Sequence, residues 1–390
     1  MNKKYLYMLS TGHLSVDINS GSLPAILPFF VSEYGMDYTS IAGLMFASSF
    51  LSSVIQPLFG WLADKGSRQW FMGLGVLMTG LSLALTGFVQ DYWSIFAAVT
   101  IMGIGSSIFH PEGARNVNAI AGAQKGQGMS IFSAGGNSGF GIGPLLAVFL
   151  ITTFGMKGTA VYGLIAILTS SLLFLAAPSI RRAAEASRKA SQQGRTVTTS
   201  ADQPKQNDWP AFRRLFLVII FRSTAATAIS SFLPLFCIQS LGASPAIGSA
   251  TLSIASIAGV LATLAGGWLA DRKGYVHTLR YGCCLLVPCL AVIAFSHNIW
   301  AVFAMLIPMS FAMQGPYAAF VVLGQSYLGR SVGFASGVTL GLSVSMGGIM
   351  VPSLGWYADH FGIDAVMMLI LIIAACAAAA TFLLPQPQRR

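Results

Sequence analysis

Hydrocarbon cannot satisfy a backbone polar group, so a segment that crosses a bilayer does so as a helix of about 20 predominantly apolar residues. Apolar runs of that length, set apart by short polar punctuation, recur along this chain at 7–32, 38–63, 69–89, 92–121, 127–153, 158–178, 211–240, 245–270, 276–296, 299–327, 332–358 and 363–384. No other feature limits the fold as strongly. The pattern predicts an all-α polytopic membrane protein with twelve transmembrane helices. Composition agrees: 55% of the 390 residues are hydrophobic and only 9% are charged, against roughly 25% charged in an ordinary soluble domain.

The formal charge of +10 would raise the question of nucleic acid on a soluble chain. Its distribution answers the question. Lys3, Lys4, Lys65, Arg68, Lys125, the cations between Arg181 and Arg214, Arg272, Lys273, Arg330 and Arg389 fall at the ends or in alternate loops, and the intervening loops carry Lys157 alone. By the positive-inside rule, both termini and the long central loop face the cytoplasm. No nucleic-acid partner is needed to account for the charge; the surroundings are a lipid bilayer. The basic, apolar start has the look of a signal peptide, but His13, Asp17, Pro24 and Pro28 interrupt it, and it reads as the first, uncleaved span. Cys237, Cys283, Cys284, Cys289 and Cys376 lie in apolar segments without metal-like or disulfide-like spacing, and read as packing residues.

The spans divide as six, a linker and six: residues 1–180, 181–209 and 210–390. The linker is rich in Arg, Lys, Ser, Thr and Gln, too polar to bury a core, and reads as a flexible cytoplasmic tether. An internal repeat supports the division. Gly60-Trp-Leu-Ala-Asp64-Lys65 recurs 207 positions on as Gly267-Trp-Leu-Ala-Asp271-Arg272, Phe154-Gly155 recurs as Phe361-Gly362 in the same register, and Leu27-Pro28 has a counterpart in Leu233-Pro234. Parallel halves handling substrate near the midplane are a known transporter plan.

Ionisable groups inside spans cost free energy and usually mark substrate or proton paths. The fourth span places His110, Glu112 and Arg115 within six residues. In the first, His13 and Asp17 are four apart and share a helix face, with Asp17 about 15 Å along the helix, near mid-bilayer. Through the repeat, Arg222 enters the seventh span at a similar depth. Glu112, Asp17, His110 and His13 are therefore candidate proton carriers, with Glu112 the principal coupling site. Arg115 and Arg222 are candidate anchors for an anion through charge-assisted hydrogen bonds. Asn137 either faces the cavity or joins two helices, and Gln314 and Gln325 in the tenth span are weaker substrate candidates. With no soluble catalytic domain and no metal-spaced His/Cys cluster, the chain does not read as an enzyme, and no cofactor is expected beyond a proton gradient as energy source.

The segment Gly60-Trp-Leu-Ala-Asp64-Lys65-Gly66-Ser67-Arg68 puts a carboxylate and two cations at the cytoplasmic end of the second span. It resembles the G-x-x-x-D-[RK]-x-G-[RK] loop of the major facilitator superfamily, departing at Ser67 where that family prefers Gly. The second copy, with Asp271, Arg272 and Lys273, ends on Gly274. The resemblance implies the major facilitator fold, two six-helix pseudo-repeat halves, with Asp64, Lys65, Arg68, Asp271 and Arg272 as a conformational latch. Gly139, Gly143 and Pro144, in a fifth span with five glycines within ten residues, are similar to the G-x-x-x-G-P element of the superfamily's antiporters, where glycines permit close helix packing and proline permits a kink.

The stretches Gly12-His13-Leu-Ser-Val16-Asp17, Phe109-His110-Pro111-Glu112 with Arg115, and Gly135-Gly136-Asn137-Ser138-Gly139 together resemble the fosmidomycin-resistance branch, departing at Val16 where an asparagine is expected. The resemblance implies a monomeric antiporter of the bacterial inner membrane, driven by the proton gradient. Its cargo would be small anionic phosphonate antibiotics such as fosmidomycin, exported to give resistance. The same charges also suit a proton-coupled uptake carrier for a sugar, organic acid or phosphorylated metabolite. Simple electrostatics leans that way, because protonating a carboxylate frees an arginine for the anion.

Overall fold

The computed structural model describes residues 2–66, 68–193 and 206–387, and among them the protein is helix and connecting turns, with one isolated bridge between Asn207 and Leu328. Helices begin where polar caps interrupt the apolar runs. Asp37 accepts from the Ser40 amide at 2.8 Å to start α2 (Tyr38–Lys65), and Asp91 accepts from Ser94 at 2.9 Å to start α4 (Tyr92–Ala121). Asp208 caps α7 (Trp209–Gln239) through Ala211, also at 2.9 Å. α1 (Lys3–Tyr34) stops at Gly35, whose φ of 66° is the left-handed conformation that favours glycine. The remaining helices of the first half are α3 (Trp70–Leu85), α5 (Lys125–Phe154) and α6 (Ala160–Gln193). The second half continues with α8 (Pro245–Lys273), α9 (Tyr275–Phe295), α10 (Ile299–Gln314), α11 (Tyr317–Tyr327), α12 (Val332–Gly337), α13 (Ser343–Phe361) and α14 (Ile363–Thr381).

Ten helical stretches among the described residues are long and apolar enough to cross a membrane. Two shorter apolar ones, Trp70–Leu85 and Val332–Leu342, lie where the third span and the start of the eleventh are expected. Two expected spans are not single straight helices. The tenth is divided at Gly315 and Pro316, since Pro316 has no N–H to continue the ladder. Gly315 meets the backbone of Gly266 so closely that a side chain at Gly266 would strike its carbonyl. The eleventh carries a π-turn, Val338–Leu342, between α12 and α13.

The chain forms two compact units: Met1–Lys205 with Arg330–Leu342, and Gln206–Gly329 with Ser343–Arg390. Arg330–Leu342 thus packs within the first unit although its sequence belongs to the second half. The linker assignment also changes. α6 runs on through Arg181 to Gln193, because Ala, Arg, Glu and Lys all favour helix and Arg181 faces Glu185 one turn on at 3.9 Å. The rest of the expected tether, 194–205, lies outside the described residues, as does Ser67.

In a bilayer, close packing rather than escape from water holds helices together, and small residues allow it. Gly135, Gly139 and Gly143 recur every fourth residue on α5 and meet a matching every-fourth stripe, Ser10, Leu14, Ile18 and Ser22, on α1. A Cβ at Gly139 would stand 2.7 Å from the Ile18 nitrogen and the Leu14 oxygen, and one at Gly143 2.6 Å from the Ile18 oxygen. Ser10 donates to the Ile131 carbonyl and Ser22 to that of Gly143, both at 2.8 Å, locking the register. Pro144 follows within an α5 that continues unbroken to Phe154. Above this seam, Ile26, Phe30, Leu44, Ile95, Val99 and Tyr162 form the apolar core of the first unit; Phe232, Phe236, Leu290, Leu306, Val366 and Ile370 belong to that of the second.

Candidate functional site

The α1–α5 seam fixes the first cluster. His13 and Asp17 are one turn apart on α1, and Asp17 Oδ2 lies 3.1 Å from His13 Nε2. His110 of α4 brings its Nε2 to 3.3 Å from the other oxygen, Oδ1. In this triad Asp17 and His13 are each 4% exposed and His110 is half-buried. Both rings are anchored from behind: His13 Nδ1 lies 2.7 Å from the Phe132 carbonyl of α5, and His110 Nδ1 lies 2.8 Å from the Ser106 carbonyl one turn back on α4. Phe132 stacks on His13 with ring centres 4.1 Å apart, and Gly136 leaves the gap into which the triad fits.

Glu112 is separate. Residues two apart on a helix point about 200° from each other, so His110 turns to α1 while Glu112, fully buried, turns toward Asn116. Asn116 donates to Glu112 Oε1 at 3.0 Å, and Arg115 Nη1 stands 3.8 Å from Oε2. The group that reads as one cluster in sequence is two in space. Arg115 is shared, its Nε lying 3.9 Å from Asp64 on α2. At an effective dielectric near 20, each carboxylate attracts it by about 4 kcal/mol before desolvation, so neither dominates.

Asp64 reaches further along the chain. Its carboxylate accepts from the amides of Gly333 at 2.7 Å and Phe334 at 2.9 Å, in the first turn of α12. Gly60 and Gly333 meet backbone to backbone beneath it. Lys65 lies over the Trp61 ring at 3.5 Å, and Arg68 lies 5.6 Å from the Phe71 ring. In the second copy, Arg272 covers Trp268 at 4.0 Å in the same way, but Asp271 accepts from the Tyr275 hydroxyl at 2.9 Å. The sequence repeat therefore preserves the cation–tryptophan pair, while the carboxylates take different partners.

In the second unit Arg222 is half-buried on α7. It donates from Nη2 to the Met313 carbonyl near the C-terminal end of α10, and its guanidinium lies 4.9 Å from the Phe320 ring. Among the described residues no carboxylate pairs with it, and its buried Nε has no acceptor. Gln314 packs its chain against Gly259 of α8, and Asn137 sits half-buried beside Gly136.

Two contributors were not singled out from the sequence, Ser106 and Asn116. Each was legible as a residue four positions from an ionisable one, Ser106 before His110 and Asn116 after Glu112. The Phe132 carbonyl had no such signal, since its position depends on how α5 packs. The triad also has the donor types of a divalent-metal site, its ligand atoms all within 4.8 Å of one another. However, Asp17 offers a different oxygen to each ring, as hydrogen bonding does, and one ion would draw all three donors to about 2.0–2.2 Å from a common point.

The chain and its fold are similar to those of known proteins. The chain is 27% identical over 358 residues to the fosmidomycin resistance protein of Escherichia coli (strain K12), covering 92% of this chain and 87% of that one. It is 27% identical over 385 residues to the MFS-type transporter YfnC of Bacillus subtilis (strain 168), covering 98% and 93%. The fold is similar to the crystal structure of the Major Facilitator Superfamily transporter FucP in the outward conformation, with a TM-score of 0.70, 16% identity and 98% of both chains covered. The Major Facilitator Superfamily model matches residues 9–352. With its helical repeat, its Asp64 loop and this match over most of its length, the chain belongs to the Major Facilitator Superfamily of membrane transporters.

Proposed function

We propose that this transporter is a proton-driven antiporter that exports small anionic phosphonates such as fosmidomycin. On this reading it works as a monomer in the bacterial inner membrane, with both termini in the cytoplasm. The observation that carries the reading is the separation of charge. Among the described residues, the groups able to hold protons in the site, His13, Asp17, His110 and Glu112, all belong to the first unit, whereas the second holds Arg222 without a carboxylate partner. A proton and an anion then have separate sites, so each can favour a different step of the cycle. Arg222, with its Nε unpaired, offers an anion a charge-assisted bond. Glu112 takes up the coupling proton, Arg115 passes between Glu112 and Asp64, and Asn137 and Gln314 contribute polar contacts to cargo. Asp64, Lys65, Arg68, Asp271 and Arg272 latch the cytoplasmic ends. The name of the E. coli relative supports the choice of cargo.

The 3.8 Å Glu112–Arg115 approach favours a second reading, since protonating Glu112 releases Arg115 for an anion and makes proton and anion bind together, as an uptake symporter needs. Everted vesicles with an acidic interior separate the two. Added fosmidomycin raises the interior pH for an antiporter, and Glu112→Gln abolishes the response. Interior acidification selects symport, and no response in vesicles containing folded protein removes phosphonate as cargo.

A further inference from the structure

The hydrogen-bond partners of the triad restrict where its protons sit. The Phe132 carbonyl can only accept, so His13 Nδ1, 2.7 Å away, carries a hydrogen. His13 Nε2 faces a carboxylate oxygen at 3.1 Å, and two lone pairs cannot share that gap. A further proton therefore lies between His13 and Asp17. His110 differs. Its Nδ1 has two partners on the same residue, the Ser106 carbonyl at 2.8 Å, which accepts, and the Ser106 hydroxyl at 3.2 Å, which can donate. When charged, His110 donates from Nδ1 to the carbonyl and from Nε2 to Asp17. When neutral, it accepts the Ser106 hydroxyl at Nδ1 and still donates from Nε2 to Asp17 Oδ1, 3.3 Å away.

We propose that the triad divides its labour: His13 is a fixed imidazolium that holds Asp17 ionised, and His110 is the ring that gains and loses a proton, with the Ser106 hydroxyl as its positioning switch. The proton gained at Nδ1 leaves no hydrogen bond broken in either state, because the Ser106 hydroxyl rotates away as the carbonyl takes over. Among the described residues no other titratable group intrudes. α1 contributes His13 and Asp17, α4 contributes His110, α5 contributes only the Phe132 carbonyl and the Gly136 backbone, and Glu112 faces Asn116 and Arg115. The proton positions follow from the geometry alone; that the His110 proton takes part, beside the Glu112 coupling proton, in exchange against cargo rests on the antiport reading.

The test is nitrogen NMR of protein carrying ring-labelled histidine in lipid nanodiscs, with His13→Gln and His110→Asn assigning the signals. Both ring nitrogens of His13 are expected to carry a hydrogen in the folded protein, and His110 to pass to the neutral Nε2–H tautomer as pH is raised. In Ser106→Ala the neutral form loses its donor, and at equal pH its population relative to imidazolium falls about fivefold, the value of one ordinary hydrogen bond. Ser106→Thr, which keeps the hydroxyl, restores it; a general loss of packing would move neither ratio. A neutral His13 in the folded protein, or a neutral His110 protonated at Nδ1, overturns the proposal. Since these signals need no transport, they separate the two ideas: correct tautomers without proton-coupled flux remove antiport alone, and coupled flux with the wrong tautomers removes the division of labour alone.

Discussion

Two glycines on α5 provide a comparison in which the same substitution has opposite expected outcomes. A methyl at Gly136 would stand 2.5 Å from both Asp17 Oδ2 and His13 Nε2, whereas one at Gly141 meets nothing within 4 Å. Ordinary contact begins at 3.4 Å, so Gly136→Ala demands a retreat of about 0.9 Å. His13 cannot make it cheaply. Its Nδ1 is bonded at 2.7 Å to α5 itself, and the same retreat takes that distance past hydrogen-bond range. The loss of one hydrogen bond to a charged group, about 1.5–3 kcal/mol, adds to overpacking of about 1–3 kcal/mol. Gly141→Ala instead gains up to about 1 kcal/mol of helix propensity. Thermal unfolding of both variants in one detergent reads the difference: Gly136→Ala melts lower and Gly141→Ala melts at or above wild type; on the proposed phosphonate-export reading, cells expressing Gly136→Ala also lose fosmidomycin resistance and those expressing Gly141→Ala keep it. Equal melting and equal resistance for the two would refute the packing of the triad against α5.

Asp64→Asn removes the charge that holds the first turn of α12; at about 1–2 kcal/mol for a charged cap, the Gly333 and Phe334 amides are expected to exchange hydrogen roughly 5–30-fold faster, and unchanged exchange rules the cap out. Asp271→Asn leaves those amides untouched. If the proposed phosphonate cargo is correct, calorimetric titration with fosmidomycin is expected to show about tenfold weaker binding in Arg222→Lys, which keeps charge but loses the planar fork, and none in Arg222→Met; full affinity in the methionine variant would exclude Arg222 as the anchor. The exposed caps Asp37 and Asp91 have carboxyls held below the ordinary range, chiefly by hydrogen bonds from Ser40 and Ser94. A depressed carboxyl stabilises its helix start above the unfolded value, about 3.9, and that support is lost as pH falls through the lower folded value. Exchange at the Ser40 and Ser94 amides should therefore quicken below about pH 4 beyond the intrinsic pH trend, and Asp37→Asn and Asp91→Asn should remove the excess.

The run of long apolar helices was legible in the sequence, because hydrocarbon thickness is a constraint acting along the chain. His13 and Asp17, or Glu112 and Arg115, could be matched for the same reason, as neighbours on one helical face. The division of His110 from Glu112 was within reach of a helical wheel, but the partner each one takes was not. Asp17 meets His110 across the contact of α1 with α4, and the Phe132 carbonyl reaches His13 because glycines let α5 draw close to α1. Asp64 meets amides some 269 residues away, a pairing no local pattern encodes. Arg222 finds the Met313 carbonyl beside the break between α10 and α11. Sequence specifies which groups lie inside the membrane; only tertiary packing decides which of them touch, because a buried polar atom is satisfied by whatever neighbouring helix the close-packing of small residues brings within three ångströms.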